Sequence, residues 1–145
     1  METTYTEPSW LGDDIIVWKI LYSTRSGFKY TPFTMTRITP CQINGEKPFR
    51  ASGSEELEYG SGILSVGGGF IHTYATIEKA IPMMKSLRFL AKDKKGRSYT
   101  PTLHRCRIKA GTRIYTDNMG SIAAKEIWFE DQVDWEDIEK IFGKT

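Results

Sequence analysis

The sequence has little of what usually announces a chemistry. It holds two cysteines, Cys41 and Cys106, and neither belongs to a CxxC pair. That excludes a disulfide-dense scaffold and a cysteine-built zinc centre. Two reduced thiols are expected, with Cys106 on a buried strand face. Only two histidines occur, His72 and His104; Cys106 follows His104 by two residues, but no second cysteine and no paired carboxylates accompany them. No metal site is expected from that set, and no cofactor is implied. No apolar run nears the roughly 20 residues of a membrane-spanning helix. The first 14 residues carry two Glu, two Asp and no base. A secretory signal is therefore not expected, and a cytoplasmic location is. The net charge is only +2. Strong, sequence-independent nucleic-acid binding needs a larger basic excess. No internal repeat or low-complexity tract is present.

What is there suits one folded domain. The chain has 145 residues, 39% of them hydrophobic and 12% aromatic. That is enough for one core and too little for two of good size. Residues 1–14 read as a polar lead-in, and 15–145 as a single α+β domain. Ile15 to Tyr22 reads as a central strand covered on both sides, because its apolarity is nearly continuous. Short strands are expected at Phe28–Tyr30, Phe33–Ile38, Leu103–Ile108, Arg113–Tyr115 and Ala123–Phe129, and Ile63–Val66 is a short apolar run that leads into the glycines. Asn44-Gly45 is a hairpin signal. Ala51 to Gly62 reads as a polar loop. Thr76 caps a helix that runs to Leu87, where Pro82 either kinks it or opens a second helix. Asp134 caps a last helix. Strands and helices do not alternate regularly, so a doubly wound parallel sheet is excluded. A mostly antiparallel, curved sheet is expected, with one or two short helices packed on one face.

Three features invite a functional reading. Gly67-Gly68-Gly69 follows Gly60 and Gly62, yet the Walker Lys-Ser/Thr is replaced by glycine, and Ser65 stands where a dinucleotide fingerprint needs glycine. The run is better read as a bend or a close backbone approach. His72 and Tyr74 would share one strand face. A His beside a phenol can bind a ligand or move a proton. Arg105, Arg107 and Lys109 alternate along one strand, and with Tyr99 or Tyr115 they could hold a phosphate and stack on a base. No nucleophile elbow accompanies any serine.

The blocks Gly69-Phe70-Ile71-His72-Thr73-Tyr74-Ala75-Thr76-Ile77-Glu78-Lys79-Ala80 and Arg107-Ile108-Lys109-Ala110-Gly111-Thr112, followed by Ala123-Ala124-Lys125-Glu126-Ile127, carry a resemblance. Over about residues 15–129 the chain resembles small proteins of bacteriophages and of gut bacteria carrying mobile elements. Ile71, between Phe70 and His72, departs from the adjacent Gly-Phe-His of that block. The resemblance implies a phage or mobile-element accessory protein and carries over no catalytic residue. His72 and Tyr74 with Glu126 or Glu130 also resemble the His-Tyr-Glu set of some ADP-ribosyltransferases, although Glu56 and Glu58 precede His72.

These features favour a non-enzymatic binding protein that captures a phosphate-bearing, nucleotide-type ligand through His72, Tyr74, Arg105, Arg107, Lys109 and Tyr115. One alternative is an interaction module that docks on a host protein through exposed aromatics and its last helix. The other is an NAD-using enzyme of the ADP-ribosyltransferase type. Self-association is left open.

Overall fold

The computed structural model describes Tyr5 and residues 8–32, 34–60, 63–90 and 99–142. Among the described residues, ten strands join in one antiparallel sheet. Its centre is the pair β2 (Ile15–Ser23) and β9 (Thr100–Ile108). They register over nine consecutive partners, from Ile15 opposite Ile108 to Ser23 opposite Thr100. Outward from β9 lie β12 (Glu126–Val133) and the edge strand β5 (Phe49–Arg50). Outward from β2 lie β8 (Ile71–Tyr74), β11 (Ser121–Ala124), β10 (Arg113–Thr116) and β1 (Ser9–Trp10). Strand β3 (Lys29–Tyr30) also pairs with β2, and β4 (Arg37–Ile38) pairs with β3. A separate hairpin joins β6 (Leu57–Gly60) to β7 (Ile63–Val66).

Alternation along β2 and β9 sends side chains to two cores. Val17, Leu21, Cys106 and Ile108 enter one cluster with Ile71, Ile127 and Phe129. Ile20 and Leu103 enter the other, where helix α2 (Ile77–Leu90) lays down Ala80, Ile81, Met84 and Leu87 and helix α3 (Trp135–Phe142) adds Ile138. The two longer helices thus share one face of the sheet. The other face carries no long helix among the described residues, yet its residues are buried. The sheet covers that face by curving on itself. The 51–56 segment shows the closure. It leaves β5 at Arg50 and brings Ser54 against Gly69, just before β8, and Glu55 into an ion pair with Arg113 of β10. In a flat sheet β8 would lie four strand spacings from β5, about 19 Å away. The expected curved, antiparallel α+β architecture is the one observed.

Local differences have local causes. Asn44-Gly45 makes no hairpin. Thr39 and Gln42 form a reciprocal capping box around the one-turn helix α1 (Pro40–Ile43), with Pro40 in its first turn. Asn44 caps its end and Gly45 takes the left-handed conformation (φ 78°). Pro82 sits inside a single helix on its exposed side, where solvent can serve the carbonyl it leaves unpaired. The 51–62 segment is not all loop, because Leu57–Gly60 pairs with β7. The 123–129 stretch is two strands, β11 and β12, divided at Lys125. The lead-in joins the sheet through β1, and Tyr5 bridges to Leu64 and Asp117. No helix among the described residues is long and apolar enough to cross a membrane.

Candidate functional site

The site lies where the sheet is least complete. One edge of β2 is fully taken by β9. The other edge is shared. β8 meets it at Trp18, opposite Tyr74, and β3 meets it at Tyr22 and Ser23. Among the described residues, Lys19, Ile20 and Leu21 have no strand partner on that edge. A cavity of about 490 Å³ opens at this seam. That is within the range of small-ligand pockets, roughly 300–1,000 Å³.

Each wall has its own source. β2 gives Lys19 and Ile20, and β8 gives Ile71 to Tyr74. The turn after β3 adds the hydroxyls of Thr31, Thr34 and Thr36. Thr31 and Thr34 are hydrogen-bonded to one another at 2.7 Å, and the Thr36 amide donates to the Thr31 hydroxyl, which fixes this turn. Gly67 to Phe70 form the rim, and α2 contributes Met83 and Leu87.

Lys19 is the one charged side chain among the described lining residues. Its ammonium donates to the His72 carbonyl at 2.9 Å, bridging the seam where a strand amide would otherwise serve. No carboxylate among the described residues pairs with it. The side chain as a whole keeps intermediate exposure, while its charged end is closely surrounded by protein. The two facts agree if solvent reaches it through the cavity. Desolvation pushes its pKa down to about 8. An ammonium has three donors, and among the described residues only one is used.

His72 is held in one neutral form. Its Nε2 lies 3.1 Å from the Gly67 carbonyl, which can only accept, so Nε2 carries the proton. Nδ1 then accepts from the Tyr5 hydroxyl at 3.3 Å. Burial lowers its pKa, and the neighbouring Lys19 charge lowers it further against the Gly67 bond. Tyr74 is half-buried, and burial raises its pKa. Both residues line the cavity with Lys19.

The glycine rim is packed closely. Gly69 has φ 79°, and a Cβ there would lie 2.4 Å from the Ser54 carbonyl oxygen. The Gly67 amide donates to the Glu56 carbonyl, and the Gly68 amide donates to the Glu56 carboxylate at 3.1 Å. An anion supplied by the chain already occupies the Gly68 amide.

The basic strand is elsewhere. Arg107 donates to Glu130 at 2.9 Å and reaches Asp14 at 3.4 Å. Asp14 also accepts the Ala110 amide, the main cause of its lowered pKa. Arg105 lies 3.3 Å from Glu130 and 3.9 Å from Asp131. Lys109 stacks over the Trp128 ring at 3.9 Å. Tyr115 is buried against Phe70 in a third cluster. The structure therefore brings His72 and Tyr74 together at the cavity and puts Arg105, Arg107, Lys109 and Tyr115 outside its lining. Glu126, paired with Arg50, and Glu130 are also outside it.

No protein-family model matches the chain, and no curated protein or solved structure matches it.

Lys19 is the residue that sequence reading passed over. It sits in Ile15-Ile16-Val17-Trp18-Lys19-Ile20-Leu21-Tyr22, a strand read as covered on both sides. A lone lysine in such a strand has to go somewhere polar, and that conflict was the available signal. His104, directly opposite Lys19, is a buried structural histidine. It lies 2.8 Å from the Thr102 hydroxyl, and burial pushes its pKa down to about 3. Among the described residues no group of side chains is arranged to hold a metal ion.

Proposed function

We propose that the protein binds a small anionic ligand in the seam cavity, with the ligand's negative group against Lys19. One observation carries this reading: a desolvated ammonium with no acid partner among the described residues borders a cavity of ligand size. Burying a charge without a counter-charge is costly, and an anion in the cavity would offset that cost. The threonine hydroxyls of the same wall are further donors. The phosphate-bearing, nucleotide-type ligand expected from sequence is one member of this class. A role as a phage or mobile-element accessory protein rests on the sequence resemblance.

Isothermal titration tests the reading. The ligands are inorganic phosphate, AMP, acetate and decanoate, each offered to the wild type and to Lys19→Met. Binding of at least one anion, weakened about 30-fold in the variant, is expected from loss of a charged hydrogen bond. Equal binding by both proteins, or binding of none, would overturn it.

A further inference from the structure

The charge and the walls of the same cavity narrow the ligand, and this step rests on the anion reading above. Lys19 supplies one positive charge, and His72 is held neutral by its two hydrogen bonds. A phosphate monoester carries close to two negative charges at neutral pH, whereas a carboxylate carries one. Among the described lining residues no second cation would meet the second phosphate charge. The Gly68 amide, which could have helped, is taken by the Glu56 carboxylate.

The rest of the wall is largely hydrocarbon. Ile20, Phe49, Phe70, Ile71, Met83 and Leu87 line it from both sides of the seam. Five of these residues come from three different clusters: Phe49 and Ile71 from the curved inner face, Ile20 and Leu87 from beneath α2, and Phe70 from the core behind β7; Met83 is exposed on α2. The interruption between β8 and β3 is what lets one hollow reach more than one core. Water in an apolar hollow finds few hydrogen-bond partners. An apolar chain or ring would gain by replacing it. A base edge or a ribose would find partners only at the threonine wall, Ser52, Tyr74 and Ser121, and its other polar groups would face hydrocarbon.

We propose that the ligand is an apolar monocarboxylate, of the medium-chain fatty-acid type, with its carboxylate at Lys19 and its hydrocarbon body between Met83 and Leu87 of α2 and the sheet.

Titration of the wild-type protein with hexanoate, octanoate and decanoate reads the hydrocarbon body directly. Affinity should rise about fourfold per methylene, the equivalent of roughly 0.8 kcal/mol for each CH₂ buried. Lys19→Met should weaken decanoate about 30-fold, while Arg105→Ala should leave it unchanged. A thermal melt of each variant checks that it is folded. AMP and inorganic phosphate are titrated in parallel. If they bind in a Lys19-dependent manner and the alkanoates do not, the monocarboxylate is wrong and the anion reading stands. If the alkanoates bind with no dependence on chain length, the proposed place of the hydrocarbon body is wrong. If Lys19→Met binds decanoate as tightly as the wild type does, or if no anion binds at all, both proposals fail. The wild-type series decides even if a variant does not fold.

Discussion

The seam cavity and the outer face of β9 and β12 both hold basic residues, and they treat them in opposite ways. On the outer face, Arg105 and Arg107 meet Glu130, Asp131 and Asp14, and Lys109 covers Trp128. The two guanidiniums there are balanced by carboxylates of β12 and by Asp14, just ahead of β2, and the Lys109 ammonium rests on an aromatic ring. At the seam, Lys19 has a carbonyl and, among the described residues, no acid. The number of cations does not mark a binding site. What marks it is a cation whose desolvation the protein itself leaves uncompensated.

The comparison can be broken most forcefully at the cavity rim. Gly69→Ala should cost about 3 kcal/mol, because the left-handed backbone alone penalises a side chain by roughly 1–2 kcal/mol and the Ser54 carbonyl blocks the new methyl group. Urea unfolding measures it, and a loss below about 1 kcal/mol would mean that the rim is not packed as described. The outer face has no position of comparable sensitivity among Arg105, Arg107 and Lys109.

Next in size is the split between stability and binding at Lys19. Lys19→Met should reduce anion binding by about 30-fold, near 2 kcal/mol, without lowering the melting temperature. The thioether replaces a desolvated charge, which offsets the lost bond to the His72 carbonyl. A variant that both binds normally and melts earlier would make Lys19 a structural residue like those of the outer face.

Acidity separates the regions further. The pKa of Lys19 is about 8 in the folded protein and 10.5 for an unperturbed lysine. Anion affinity should therefore hold below about pH 8 and fall up to tenfold per pH unit above it. The unfolded chain keeps this proton up to higher pH than the folded one does. The Lys19 contribution to stability consequently rises between about pH 8 and 10.5. His104 shifts in the same direction, from 6.5 to about 3. Its contribution is present above pH 6.5 and is lost as the pH falls toward 3. Titration calorimetry from pH 6 to pH 10 reads the first effect, and unfolding in mild acid reads the second. Anion affinity unchanged up to pH 10 would remove Lys19 from the site.

The smallest effect is expected on the outer face. Arg105→Ala should change stability by less than about 1 kcal/mol, because its partners are partly solvated. It should leave ligand affinity unaltered. A tenfold loss of affinity would return the basic strand to the binding site.

Much of the architecture was legible in sequence. The apolar run from Ile15, the alternation from Leu103 to Ile108 and the Thr76 cap each stated a local preference that tertiary packing reinforced, and the last helix follows Asp134 as expected. Other segments were misread because local signals compete. Asn44-Gly45 favours a hairpin only between strands, and the Thr39–Gln42 capping box had already committed the preceding residues to a helical turn. Leu57 to Gly60 looked like loop because most of its residues face solvent. Its strand exists through pairing with β7, which no local pattern encodes. At the site, His72 and Tyr74 were legible from their spacing. Their separation from Arg105, Arg107 and Tyr115 was not, because a strand's own sequence does not say which acids stand opposite it.

By itself the sequence determined the antiparallel α+β class, the central strand and the glycine bend before His72. These follow from side-chain period and backbone preference, which act over a few residues. Only the tertiary structure decided that β8 and β3 share one edge of β2 and leave Lys19 between them. The gap arises from the placement of segments more than 40 residues apart in the chain, and it turns an ordinary lysine in an apolar strand into the charged wall of a cavity.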